Sequence, residues 1–230
     1  MTSGELAGAT IVFDLDGTLV DTAPDLVRAL NATMDLEGLP PVRLETVRQM
    51  VGQGARVLIE RAAGLRGITY SPARLDELTE AFVGFYRQDI AGASKAFPGV
   101  EEALNGLAAL GAKLSVCTNK RTALSQQLLD ALGLSVRFSA IVGADSVPER
   151  KPHPDHYRAA VSRAGGVVRR SVMIGDSTAD VAAARAAGAP VAIVSFGYCD
   201  SDCYALGADV VLNRFADVAP ACRRLLAARP

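Results

Sequence analysis

The chain has 230 residues, 50% of them hydrophobic and 21% charged, with a formal net charge of -1 at pH 7. That is apolar material for one large core, or for a core with a small second domain. The near-neutral balance argues against nucleic acid or an anionic membrane as the main partner, and no apolar run approaches the ~20 residues of a membrane span. The start, Met1-Thr2-Ser3-Gly4-Glu5, lacks the basic opening and long apolar stretch of a signal peptide, so a cytoplasmic location is expected. Four cysteines (Cys117, Cys199, Cys203, Cys222) form no close-spaced framework. With only His153 and His156 beside them they make a weak zinc set, and free thiols are expected.

In chain order, Ile11–Val20 comes first: a β-branched and aromatic run that ends in Asp14 and Asp16, then Gly17 and Thr18. Apolar residues bounded by a glycine turn read as a buried strand of a parallel sheet. Asp14 falls where such a strand leaves the core, the end at which open α/β sheets place ligands. Side chains two apart share a face in extended chain, so Asp14 and Asp16 can look into one pocket. A surface turn capped by Asp16 explains Asp16-Gly17, but not an acid held between Phe13 and Leu15.

After Asp21 the pattern turns helical up to about Lys95, with helices expected at Asp25–Leu36, Arg56–Ala63 and Ala73–Ile90. Ser71-Pro72 reads as the cap and first-turn pair of the last. Pro40-Pro41 and Gly64–Gly67 read as breaks. From Phe97-Pro98-Gly99 onward helices and short apolar runs alternate. Strands are expected at Lys113–Cys117, Phe138–Val142, Ser171–Ile174, Val191–Val194 and Asp209–Leu212. Helices are expected at Val100–Leu110, Thr122–Leu132, His156–Arg163, Ala179–Ala187 and Val218–Ala228. Such alternation predicts an α/β fold with a doubly wound parallel sheet and right-handed crossovers. The helical block, residues 21–95, reads as a cap inserted into a discontinuous core of residues 1–20 and 96–230, emerging at the sheet edge that carries Asp14.

Three more strand ends present polar groups at that edge: Thr118-Asn119-Lys120; Gly143-Ala144-Asp145 with Lys151-Pro152 beyond it; and Gly175-Asp176-Ser177 with Asp180. Singly, each has a bland explanation, with Thr118 or Asp176 as helix caps and Lys151 as a solvated loop cation. Among them Asp176 and Asp180 with Asp14 give three carboxylates, Thr118 a hydroxyl and Lys151 an ammonium, which suits phosphoryl transfer. A carboxylate can attack phosphorus and split a hard hydrolysis into two steps. The phosphate dianion needs a bridging cation beside acids, and Mg²⁺ prefers hard oxygen ligands. Lysine, hydroxyl and backbone N–H groups can hold the remaining phosphoryl oxygens. A second acid two residues on can protonate the leaving alkoxide and then activate water.

Asp14-Leu15-Asp16-Gly17-Thr18-Leu19, Thr118-Asn119, Lys151-Pro152 and Gly175-Asp176-Ser177-x-x-Asp180 resemble, in order, the four motifs of the haloacid dehalogenase superfamily. The resemblance implies a Rossmann-like core with a helical cap. It implies Asp14 as nucleophile, Asp16 as general acid/base, and Mg²⁺ held by Asp14, the Asp16 carbonyl and Asp176. Thr118 and Lys151 would hold the phosphoryl group, and Asp180 would orient the site. Dehalogenases lack an acid at the position of Asp16, so its presence favours a phosphatase or phosphomutase. Phosphonoacetaldehyde hydrolases need a cap lysine, and residues 21–94 contain none.

Val51-Gly52-Gln53-Gly54-Ala55-Arg56, Phe97-Pro98-Gly99-Val100 and Thr118-Asn119-Lys120 resemble the phosphoglycolate phosphatase branch. In the cap loop, Gly52 and Gly54 would let backbone approach a small substrate, and Arg56 could pair with its carboxylate. Gly52–Gly54 as a plain turn, with Arg56 solvated, is the competing expectation. Gly197-Tyr198-Cys199-Asp200 departs from that branch, which leaves the substrate open. Another small-molecule phosphatase (sugar phosphate or pyrophosphate) or a β-phosphoglucomutase-like enzyme is the alternative. A non-catalytic relative is disfavoured because Asp14, Asp16 and Lys151 are all present. The expected partner is a small phosphorylated metabolite.

Overall fold

The structure is a computed structural model that describes residues 4–199 and 202–228; Met1–Ser3 and Asp200, read above from sequence, lie outside them. β1 (Thr10–Phe13) occupies the middle of a six-stranded parallel sheet. On one side lie β4 (Lys113–Cys117) and β5 (Ala140–Val142); on the other lie β6 (Ser171–Gly175), β7 (Val191–Val194) and β8 (Val210–Leu212). The order β5-β4-β1-β6-β7-β8 reverses direction beside β1, which puts a topological switch point there. Phe13 pairs with Val116 on one flank and Ile174 on the other, so the three strands end within one residue of one another.

Alternation along these strands separates two apolar layers. Ile11, Phe13, Val172 and Ile174 enter one, while Val12 and Met173 enter the other. Helices α5 (Val100–Ala109), α6 (Thr122–Ala131) and α9 (Val218–Ala227) supply the first layer, and α7 (Pro154–Arg163) and α8 (Thr178–Ala187) the second. Strands β1, β6 and β7 are buried along their whole length, which is why their runs are mostly apolar, whereas the edge strands β5 and β8 are only partly buried.

In sequence, between β1 and β4, come α1 (Ala23–Asp35), α2 (Leu44–Arg48), α3 (Ala55–Gly64) and α4 (Pro72–Gln88). Helix α1 buries Leu26, Ala29, Leu30, Thr33 and Met34, the one-face spacing that the sequence predicts. Ser71 caps α4 by accepting from Arg74 N–H at 3.2 Å. Two features are absent from the sequence expectation: the one-turn helix α2, and an antiparallel ribbon of β2 (Val20–Asp21) with β3 (Lys95–Ala96) where the helical block joins the sheet. Among the described residues, no helix is long and apolar enough to cross a membrane. All four cysteines are free.

Candidate active site

The ladder carries Asp14 past the last residue of β1, its N–H donating to the Ile174 carbonyl at 2.9 Å, and leaves its side chain buried at the sheet edge. Asp14 Oδ1 accepts from Leu15 N–H at 2.7 Å and faces Lys151 Nζ at 2.9 Å. Lys151 is 1% exposed, so the solvated-cation explanation fails; its ammonium also donates to Asp180 Oδ1 at 2.6 Å. The bland explanation of Asp176 fails as well. Ser177 is the N-cap of α8 and forms a capping box with Asp180, leaving Asp176 free to face Asp14. Nor does Thr118 cap a helix, since Arg121 holds that place on α6.

Carboxylate oxygens of Asp14, Asp176 and Asp180 lie within 4.8 Å of one another, all buried. Three acids against one ammonium leave an excess of negative charge, and the titration behaviour reflects it. Burial, set against the pull of Lys151, pushes the Asp14 carboxyl up to about 7. Asp176 is raised well above the carboxylate range by burial and then by Asp14 and Asp180. Burial works against the Lys151 ammonium, but Asp14 and Asp180 outweigh it and hold its pKa above the ordinary value.

A hard dication fits this set because it supplies the missing countercharge to three buried acids, one of which, Asp176, has glycine backbone packed directly against it. At Gly17, whose φ is +83°, a Cβ would lie 2.2 Å from Asp176 Oδ2, and at Gly197 one would lie 2.4 Å from Asp176 Cβ. Asp180 is committed elsewhere. Its Oδ1 accepts from Lys151, and its Oδ2 from Asp176 N–H, Ser177 N–H and Ser177 Oγ.

Asp16 lines the same cavity as Asp14, together with Thr118 and Asn119, although the chain turns from Leu15 rather than staying extended through it. The cavity measures about 320 Å³, with Leu26, Val51, Leu58, Phe82 and Val83 as apolar wall. Asn119 Nδ2 donates to the Gly52 carbonyl at 2.9 Å and to the Lys151 carbonyl at 3.1 Å, which fastens the Gly52–Gly54 loop over the site. Arg56 lines the cavity too, but its Nη1 is ion-paired with Asp76.

Two residues given no role from sequence are central here. Lys120, 9% exposed, donates to Asp16 Oδ1 at 2.7 Å and to Tyr86 Oη at 3.1 Å, and its ammonium sits 4.4 Å from the Tyr86 ring centroid. Burial opposes its charge, but Asp16 and Tyr86 hold its pKa above the ordinary value. Tyr198 donates its N–H to Asp176 Oδ2 at 2.7 Å and its hydroxyl to Asp21 Oδ1 at 2.5 Å, tying the acid cluster to the ribbon. The sequence signal for Lys120 was its place directly after Thr118-Asn119.

His156 is a third. Lys151 N–H donates to its Nδ1 at 3.0 Å, so Nε2 carries the proton, 3.1 Å from the Val142 carbonyl. Burial, then Lys151, lowers its pKa to about 4 and keeps the ring neutral.

Residues 11–194 match the family model for haloacid dehalogenase-like hydrolases. Curated relatives include phosphoglycolate phosphatases of Caulobacter vibrioides, 51% identical over 98% of this chain and 95% of that protein, and of Agrobacterium fabrum, 46% identical over 96% and 94%. A solved structure of a predicted phosphoglycolate phosphatase from Haemophilus somnus aligns with TM-score 0.85 and 31% identity, covering 94% of this chain and 98% of that one. CbbY from Rhodobacter sphaeroides, solved in complex with phosphate, aligns with TM-score 0.79 and 27% identity over 94% and 99%.

Proposed function

The chain belongs to the haloacid dehalogenase-like hydrolase family, and from that premise we propose that it is a Mg²⁺-dependent phosphatase whose substrate is 2-phosphoglycolate. The observation that carries the chemistry is a buried, cation-paired Asp14 sharing one cavity with Asp16. The substrate assignment draws on relatives of that name matched over nearly the whole chain.

In this reading Asp14 attacks phosphorus, and the bond from phosphorus to the glycolate oxygen breaks as the Asp14–phosphorus bond forms. Asp16 gives its proton to the departing alkoxide. It then takes one from a water that attacks the same phosphorus, freeing inorganic phosphate and restoring the Asp14 carboxylate. Lys120 and Thr22 Oγ1 both donate to Asp16 Oδ1, each at 2.7 Å, so the transferred proton belongs to Oδ2. Asp14, the Asp16 carbonyl and Asp176 would hold Mg²⁺, which when bound supplies the positive charge that lets a phosphate dianion enter among carboxylates. Thr118 and Lys151 hold phosphoryl oxygens, Asn119 orders the loop above them, and Asp180 keeps Lys151 and the start of α8 in place. Arg56 adds positive charge to the wall, offset by Asp76. Residues 21–95 form the cap and 1–20 with 96–230 the core, the cap excluding water during turnover.

A panel of phosphate monoesters with and without Mg²⁺ tests the reading. Phosphoglycolate turned over with the highest kcat/KM, and only with the metal, supports it. A preference for a sugar phosphate or pyrophosphate over phosphoglycolate overturns the substrate, and undiminished turnover in a chelator overturns the metal.

A further inference from the structure

We propose that Arg150 is the residue that recognises the carboxylate of the substrate, an inference that rests on the phosphoglycolate reading above. The charges around the cavity pair off with one left over. Asp16 is matched by Lys120, Asp76 by Arg56, and Glu80 by Arg121. Asp14, on the floor, is matched by Lys151. Asp145, the remaining acid of the lining, is held by the N–H and hydroxyl of Thr122 at 2.8 and 2.6 Å. Among the described residues, Arg150 is the cavity-lining cation with no carboxylate partner and no side-chain hydrogen bond.

Its position suits the task. Arg150 directly precedes Lys151, so its backbone is anchored by the group that faces Asp14. Its Nη1 reaches the Gly52–Gly54 loop from the core side: a Cβ built on Gly54 would lie 3.9 Å from Nη1 and 3.2 Å from the Asn119 carbonyl. The guanidinium thus stands where the cap loop meets the Asn119 backbone, one residue beyond Thr118, on the wall that a two-carbon acid would face once its phosphate is seated on Asp14. A planar guanidinium offers a carboxylate two parallel N–H bonds, whereas Arg56 has already given Nη1 to Asp76. A neutral monoester has nothing to offer this group, so discrimination is expected to come from the acid end of the substrate.

The test compares kcat/KM for 2-phosphoglycolate and for ethyl phosphate, its neutral counterpart, in wild type, Arg150→Ala and Arg150→Lys. Losing one charge-assisted contact should lower the phosphoglycolate to ethyl phosphate ratio by about 10- to 100-fold in Arg150→Ala, carried mainly by KM, with partial recovery in Arg150→Lys. A ratio that stays within about twofold of wild type overturns the proposal, as does an equal loss on both esters. If wild type itself shows no preference for phosphoglycolate over ethyl phosphate, the substrate reading fails. A preserved wild-type preference with an unchanged ratio in Arg150→Ala overturns Arg150 alone.

Discussion

At the scale of single residues, Asp14 carries two opposed demands: it must be ionised to attack, yet burial lifts its pKa to about 7. Replacing it with Asn keeps the shape and removes both the nucleophile and the buried charge. Asp14→Asn should therefore cost at least about four orders of magnitude in turnover. The sign of the stability change follows from the raised pKa. An acid whose folded-state pKa exceeds its unfolded value destabilises the fold progressively as pH rises from 3.8 to about 7, and fully above that. In metal-free buffer at pH 8 the Asn variant should accordingly melt no lower than wild type. Residual turnover at wild-type level would remove Asp14 from the nucleophile's place. This residue was legible in the sequence because an acid between Phe13 and Leu15 has no solvent-facing explanation. Lys120 was not, because its role depends on Asp16 and Tyr86, 104 and 34 residues away along the chain.

At the scale of elements, the helical block joins the sheet through very little chain. The β2–β3 ribbon contributes two residue pairs, Val20 with Ala96 and Asp21 with Lys95. Beside it the α1 residue Asp25, 2% exposed, accepts from Ser94 N–H at 2.7 Å, Ser94 Oγ at 2.6 Å and Ala93 N–H at 3.0 Å. That single carboxylate clamps the start of α1 to the chain returning from α4. Asp25→Ala leaves two backbone donors unmatched in a buried place, at an expected cost of roughly 2–4 kcal/mol of unfolding free energy in a urea titration. A change below about 0.5 kcal/mol would show that the clamp is not a stability element. The long helices here were legible from their 3.6-residue spacing, and Ser71 from its capping chemistry. The ribbon and α2 were not: strands of two residues show no alternation, and a helix of five shows no period.

At the scale of the whole molecule, one sheet edge collects residues that the chain holds far apart. The ends of β1, β4 and β6 bring Asp14, Thr118 and Asp176 together, and the loop after β5 brings Lys151. This convergence was legible because a parallel sheet, predicted from the strand–helix alternation, puts all its strand ends at one edge. The cavity wall was not, since Leu26, Leu58 and Phe82 come from three helices whose packing no local pattern encodes. Charge at that edge then links stability to metal. Asp14, Asp176 and Asp180 face one ammonium, so a bound dication relieves repulsion that exists only in the folded chain. Mg²⁺ at about 100 times its dissociation constant should stabilise the protein by about 2.7 kcal/mol, read as a rise in Tm. Binding requires ionised Asp14 and Asp176, both raised by burial, so protons compete with the metal and the rise should be larger at pH 8 than at pH 6. Asp176→Asn should abolish most of the rise while leaving the metal-free melt in place. An undiminished rise in that variant, or one larger at pH 6, would separate the acid cluster from the metal and leave the raised carboxylates to be matched by protons instead.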